Sequence, residues 1–185
     1  MEYAHRSRGL AVEFVALGVL LETPMHGYEL RDRLKRGLGA FWRIASSQLY
    51  KVLHRLEEQG WVECNVAAGS AGPSRHVYRC TKAGTSVFWE WATSPVRHVR
   101  RIRIEFLAKL YFLRRLAPDR LPQLLEKQAA VLHELEGYLA ARPRVETDDA
   151  SLGRLAASYR QSQIRGTIRW LEENAQVLLE RKESE

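Results

Sequence analysis

The hydrophobic positions fall into helical steps over most of the chain. Residues 10–22 place Leu10, Phe14, Leu17 and Leu21 on one face, and Thr23-Pro24 ends that helix because proline cannot continue the ladder. A second helix opens at His26-Gly27-Tyr28-Glu29-Leu30 and runs to about Leu38, with Leu30, Leu34 and Leu38 inward and Gly37 and Gly39 at its end. Phe41 and Trp42 are expected as core plugs beneath the following turn. The third helix, within residues 44–60, carries Leu49, Val52, Leu53 and Leu56 at i, i+3, i+4 and i+7, with Ser46 or Ser47 as its N-cap and Gly60 as its stop.

The period then changes. Trp61 to Val66 alternates as a strand, residues 67–75 are a Gly/Ser/Pro turn, and His76 to Cys80 returns, giving a hairpin with a long tip. Thr81 caps a fourth helix carrying Val87, Phe88 and Trp91, and Pro95 marks a boundary. Beyond it the pattern is all helical. Residues 102–116 are apolar on a wide face. Residues 119–141 repeat Leu121, Leu125, Leu132, Leu135 and Leu139 in a heptad seam whose polar gap is Gln128. After a polar connector at 142–150, residues 151–181 place Leu152, Ala156, Tyr159, Gln163, Gly166, Trp170 and Val177 in a 3.5-residue register.

Three helices and a hairpin, in that order, make a winged helix-turn-helix. The expected fold is mainly α: an N-terminal winged helix-turn-helix with a two-stranded wing in residues 1–94, then an all-helical dimerisation domain in 95–185. The dimer contacts are expected from Leu125, Leu132, Leu139, Tyr159, Gly166 and Trp170, because one reading head captures only a short half-site and two-fold dimers read two.

Charge agrees with a polyanion partner. The chain has 185 residues and a formal net charge of +7, with an excess of three cations in residues 1–94 and four in 95–185. On the third helix the polar face offers Ser47, Gln48, Tyr50, Lys51, His54 and Arg55, types that bind phosphates and base edges. Arg75 and His76 close the wing tip, where a cation near phosphate adds affinity without sequence information. Double-stranded DNA is therefore the expected partner. A protein- or RNA-binding winged helix is the alternative, and the salt dependence of binding separates the two.

Other chemistries lack their residues. No CxxC pair, Cys/His cluster, HExxH, G-x-S-x-G or nucleotide fingerprint occurs, so neither an enzyme nor a metal or cofactor site is expected. Glu13 interrupts the N-terminal apolar run and no small-x-small site follows, which argues against a signal peptide. No run reaches the ~18 apolar residues of a membrane span. Cys64 and Cys80 fit a reducing compartment. With Val66 facing His76, Cys64 faces Tyr78, so no disulfide to Cys80 is expected.

Four blocks, in order, resemble the PadR-like transcriptional regulators. They are Ala16 to Leu21 with Met25-His26-Gly27-Tyr28-Glu29-Leu30; Ser47-Gln48-Leu49-Tyr50-Lys51-Val52-Leu53; Leu56-Glu57-Glu58-Gln59-Gly60-Trp61-Val62; and Gly72-Pro73-Ser74-Arg75-His76-Val77-Tyr78 continuing through Thr81 to Gly84. The helical remainder resembles the longer subgroup. Many relatives have Gly-Ser-Leu-Tyr-Pro where this chain has Ser47-Gln48-Leu49-Tyr50-Lys51, so operator preferences do not transfer directly. The resemblance implies a cytoplasmic homodimer, usually a repressor, and often a small aromatic or drug-like effector. The aromatics Trp89, Trp91, Tyr111, Phe112 and Trp170 are the candidates for that pocket, with core or dimer interface as their alternative role.

Overall fold

The computed structural model describes residues 10–40, 42, 44–67, 75–141 and 150–180. Phe41, the wing tip at 68–74 and the connector at 142–149 lie outside them. The chain divides into two compact units, Met1–Ala92 and Thr93–Glu185.

In the first unit, α1 (Leu10–Glu22) packs on α2 (Gly27–Leu38), on α3 (Ser46–Glu58) and on β3 (Arg75–Cys80). The helix is buried on nearly every side from Glu13 to Leu20, where the sequence pattern predicted a single inward face, and Leu21 is only half-buried. A helix hydrophobic all round belongs at the centre of a core. Phe14 extends that core by stacking on Trp61 at 6.3 Å and on Trp91 at 5.1 Å.

The sheet has the order β1-β3-β2, with β2 at Val62–Ala67. Its two long strands pair antiparallel with Val66 opposite His76 and Cys64 opposite Tyr78, the expected register. Cys80 lies opposite Val62, and both thiols are free. A third strand joins the two-stranded wing: β1, Met25–His26, pairs Met25 with Tyr78 and His26 with Val77. Two residues between a proline and a helix give no alternation to read, so only the neighbouring strand reveals the pairing.

The turn that follows α3 fixes the wing to the reading helix. Gly60 adopts φ +69, the left-handed conformation that closes a helix and that a Cβ disfavours. Thr81 Oγ1 donates to the Gly60 carbonyl at 2.7 Å and accepts from the Gly84 amide at 3.1 Å. One side chain thus caps α4 (Lys82–Thr93) and clamps the end of α3. At the other end of α3 the N-cap is Ala45, with no side-chain cap, in place of the expected Ser46 or Ser47.

The second unit is helical: α5 (Val99–Arg101), a π-turn (Ile102–Phe106), α6 (Leu107–Leu116), α7 (Leu121–Ala141) and α8 (Ala150–Leu179). Its entry segment is pinned by buried polar side chains. Gln128 accepts from the Val96 amide at 2.7 Å and donates to the Val96 carbonyl at 2.9 Å. Lys109, 1% exposed, donates to the Ser94 carbonyl at 2.7 Å and pairs with Glu105 at 3.2 Å. Gln128 is therefore no gap in the α7 seam, because its amide replaces both hydrogen bonds that Val96 would make in a strand or helix.

The same seam places the expected dimer residues Leu125, Leu132 and Leu139 within the chain's own packing. Leu125 and Leu132 are buried within the chain's own fold, with Leu121, Leu124 and Val131, and Leu139 is half-buried. A heptad repeat states that a partner helix exists but not whose it is. Here α7 packs on α8, which contributes Ile164, Ile168 and Leu171 from its inner face. Arg165 bridges to Glu136 at 2.7 Å, and Arg114 donates to the Val177 and Glu180 carbonyls at the C-terminal end of α8.

Candidate nucleic-acid interface

The candidate interface is built on α3, because its apolar stripe fixes which way the other face points. Leu49, Val52, Leu53 and Leu56 are fully buried. Ser47, Gln48, Tyr50, Lys51, His54 and Arg55 are all exposed. Burial of the stripe thus orients six polar or amphipathic side chains without any of them needing a partner of its own.

Their surroundings differ. Gln48 and Lys51 are exposed, and among the described residues no side-chain hydrogen bond or ion pair engages either. His54 Nε2 lies 3.7 Å from Glu58, an exposed pair one turn apart that contributes little to stability. Arg55, expected among DNA contacts, reaches back to Glu13 at 3.3 Å. Glu13 is 4% exposed, and a buried carboxylate needs a charged partner, so the guanidinium is committed to the junction of α1 and α3. In the sequence Glu13 marks only the break in an apolar run, because its partner lies on another helix 42 residues away.

Tyr50 is held by a close approach. Its ring lies over Gly27, where a Cβ would come within 2.8 Å of it. On either side of Gly27, His26 and Tyr28 stack at 5.5 Å, and Tyr28 is 52% exposed. An aromatic corner of His26, Tyr28 and Tyr50 therefore borders the polar face of α3. The sequence reading used His26 and Tyr28 only as a helix opening; their spacing around a glycine was the available signal.

On the wing, Arg75 and His76 lead β3. His76 is exposed, with Nδ1 3.2 Å from Cys64 Sγ. Its carbonyl accepts from His26 Nδ1 at 3.0 Å. Burial pushes the Cys64 thiol up, helped by the negative charge of Glu57. Burial also raises the Tyr78 hydroxyl and the Cys80 thiol.

The expected effector aromatics have varied settings. Trp91 is buried against Phe14 and Phe88, and Trp89 meets Phe88 edge-on at 5.1 Å. In the second unit Phe112 is fully buried, with Tyr111 edge-on to it and Arg115 over the Tyr111 ring. Trp170 instead borders a groove of about 750 Å³ with Tyr159, Gln163, Arg100, Arg103 and Phe106. Among the described residues no group of three or more His, Cys, Asp or Glu is placed to hold a metal, and no helix is long and apolar enough to cross a membrane.

A wing joined to a helix whose buried stripe turns a polar face outward defines a winged helix-turn-helix regulator. Residues 16–90 match the "Transcriptional regulator PadR-like family" and residues 102–178 match the "Virulence activator alpha C-term" domain, so the chain is similar to PadR-like transcriptional regulators. Among its relatives, the negative transcriptional regulator PadR of Bacillus subtilis is 26% identical over 68% of this chain and 71% of its own length. The probable transcriptional regulator Rv1176c of Mycobacterium tuberculosis is 26% identical over 94% of this chain and 100% of its own. A crystal structure of Bacillus subtilis PadR in complex with operator DNA is matched over 90% of this chain and 98% of that one, at 20% identity and a TM-score of 0.45.

Proposed function

We propose that the chain acts in the cytoplasm as a homodimeric, sequence-specific DNA-binding regulator, a repressor on a palindromic operator, with residues 1–94 as the reading domain and 95–185 as the dimerisation domain. The observation that carries this reading is the polar face of α3. Gln48 and Lys51 sit in its N-terminal half, exposed and without an ion pair or side-chain hydrogen bond among the described residues, above a stripe that cannot turn outward. A helix so oriented suits a major groove, with Gln48 and Lys51 at base edges or phosphates and Ser47, Tyr50 and His54 nearby. Arg75 and His76 of the wing lie against the adjoining backbone, and Arg55 supports from behind.

Dimerisation is assigned to the outer face of α8, where Leu152, Leu155, Tyr159, Trp170 and Val177 remain exposed, and to Gly166, where an added Cβ meets nothing within 4 Å. The second element of the reading is release by a small aromatic effector. The Trp170 groove favours it, since its indole and the cationic Arg100 and Arg103 suit a planar anion. Binding to a palindromic duplex from the chain's own promoter tests the reading. Affinity that falls steeply with salt supports it, whereas salt-insensitive capture of protein, or preference for RNA, favours the alternative interaction module.

A further inference from the structure

The wing contains a thiol–imidazole pair whose chemistry bears on its contact with DNA. Cys64 lies opposite Tyr78 in the β2–β3 ladder, and side chains two apart on a strand share a face. His76 therefore lies diagonal to Cys64 on the same face, within reach of its sulfur. The separation is 3.2 Å between Cys64 Sγ and His76 Nδ1. The strand is also held at this residue, since the His76 carbonyl accepts from His26 Nδ1 at 3.0 Å. The imidazole thus sits on a fixed backbone with one nitrogen facing a sulfur and the residue as a whole exposed.

The direction of that contact follows from counting protons. Burial and the nearby Glu57 carboxylate keep Cys64 in its thiol form at neutral pH. The Tyr78 hydroxyl donates to the same sulfur, which leaves the thiol proton for the imidazole and makes the facing nitrogen the bare acceptor. A neutral imidazole then carries its proton on the other nitrogen, Nε2. We propose that Cys64 is a positioning residue of the wing: its S–H holds His76 as the Nε2–H tautomer and presents that N–H outward as a donor to a DNA phosphate oxygen. The proposal rests on the reading that the wing lies against the DNA backbone. It adds a residue that touches no DNA yet decides which atom of His76 does.

The test uses the full chain with ¹⁵N-labelled histidine and long-range ¹H–¹⁵N spectra in alkaline buffer. The His76 signals are assigned by their loss in His76→Gln. Wild type should show a bare Nδ1 and a protonated Nε2. Cys64→Val should give a tautomer mixture, and Cys64→Ser, which keeps a donor, should restore the single form. Cys64→Val should also weaken binding to the promoter duplex about threefold to tenfold, the loss of one oriented hydrogen bond. In the His76→Gln background no imidazole remains to be oriented, so Cys64→Val should weaken binding no further.

An Nδ1–H tautomer, or a doubly protonated ring, in the wild type would overturn the proposal. So would an unchanged tautomer in Cys64→Val, or the same affinity loss in the His76→Gln background, which would mark a general wing defect. Absence of any DNA binding by the wild type would instead sink the DNA reading, and the spectra would still decide the tautomer.

Discussion

The two units arrange polarity in opposite ways. The first has an apolar interior in which Glu13, answered by Arg55, is a buried charge, and it turns a row of polar side chains outward on α3. The second buries Lys109 and Gln128 against its own entry segment and leaves Leu152, Leu155, Tyr159, Trp170 and Val177 exposed on α8. An exposed polar row is stable in water and ready for a charged polymer. An exposed apolar row on a long helix is the mark of an association surface. The contrast matches the proposed division of roles, with recognition on the unit that is finished by itself and association on the unit that is not.

The largest test of this contrast concerns the buried polar anchor. Lys109→Ala removes one partner of a buried pair and the amine that donates to the Ser94 carbonyl, so it should destabilise the second unit by about 3–5 kcal/mol in urea unfolding. The pH response has a definite sign. Burial holds the Lys109 ammonium below its ordinary value. Between the folded and unfolded values the unfolded chain binds more protons, so stability rises with pH across that alkaline window, and in Lys109→Met the rise should vanish. A variant as stable as wild type would show the anchor to be ornamental and weaken the contrast.

Next in size, Tyr159→Arg combined with Trp170→Arg places two charges on the apolar row. Sedimentation should then give a monomer, and affinity for a two-half-site duplex should fall by about 100-fold as the second head is lost. A variant that remains dimeric would move the interface off this face. Gly60→Ala should cost about 1–2 kcal/mol, because the left-handed turn that ends α3 penalises a Cβ. The smallest effect is expected at the exposed His54–Glu58 pair: Glu58→Gln should change stability by less than about 0.5 kcal/mol in thermal unfolding.

Periodicity exposed what depends on neighbours close in sequence. The stripe of Leu49, Val52, Leu53 and Leu56, the Thr81 cap and the hairpin register of Cys64 with Tyr78 were all legible, since each follows from spacing within one element or one turn. What escaped depends on distant chain. Met25–His26 becomes a strand only because β3 lies beside it. Gln128 becomes an anchor only because Val96 arrives 32 residues away in sequence. Leu125 and Leu132 carry a repeat that reads equally as a dimer seam or an internal one, and the long α8 supplies the internal partner. In the candidate site the polar residues of α3 were legible from the buried stripe, whereas Glu13 behind Arg55 and Gly27 beneath Tyr50 were not, because each joins two elements.

The central claim is that the polar face of α3 meets DNA, and it is tested most directly by the salt dependence of binding. The affinity of the full chain for a palindromic duplex from its own promoter would be followed by fluorescence anisotropy over a range of salt, for wild type and Lys51→Ala. The account predicts a linear fall of log K with log salt, with a slope of about −0.9 for each phosphate neutralised. With Lys51 on phosphate, the Lys51→Ala slope should be shallower by about one unit and its affinity lower at every salt. With Lys51 on a guanine edge, specificity should relax at one base pair by about 1–3 kcal/mol. Binding indifferent to salt, or a variant indistinguishable from wild type in slope, affinity and base preference, would contradict it.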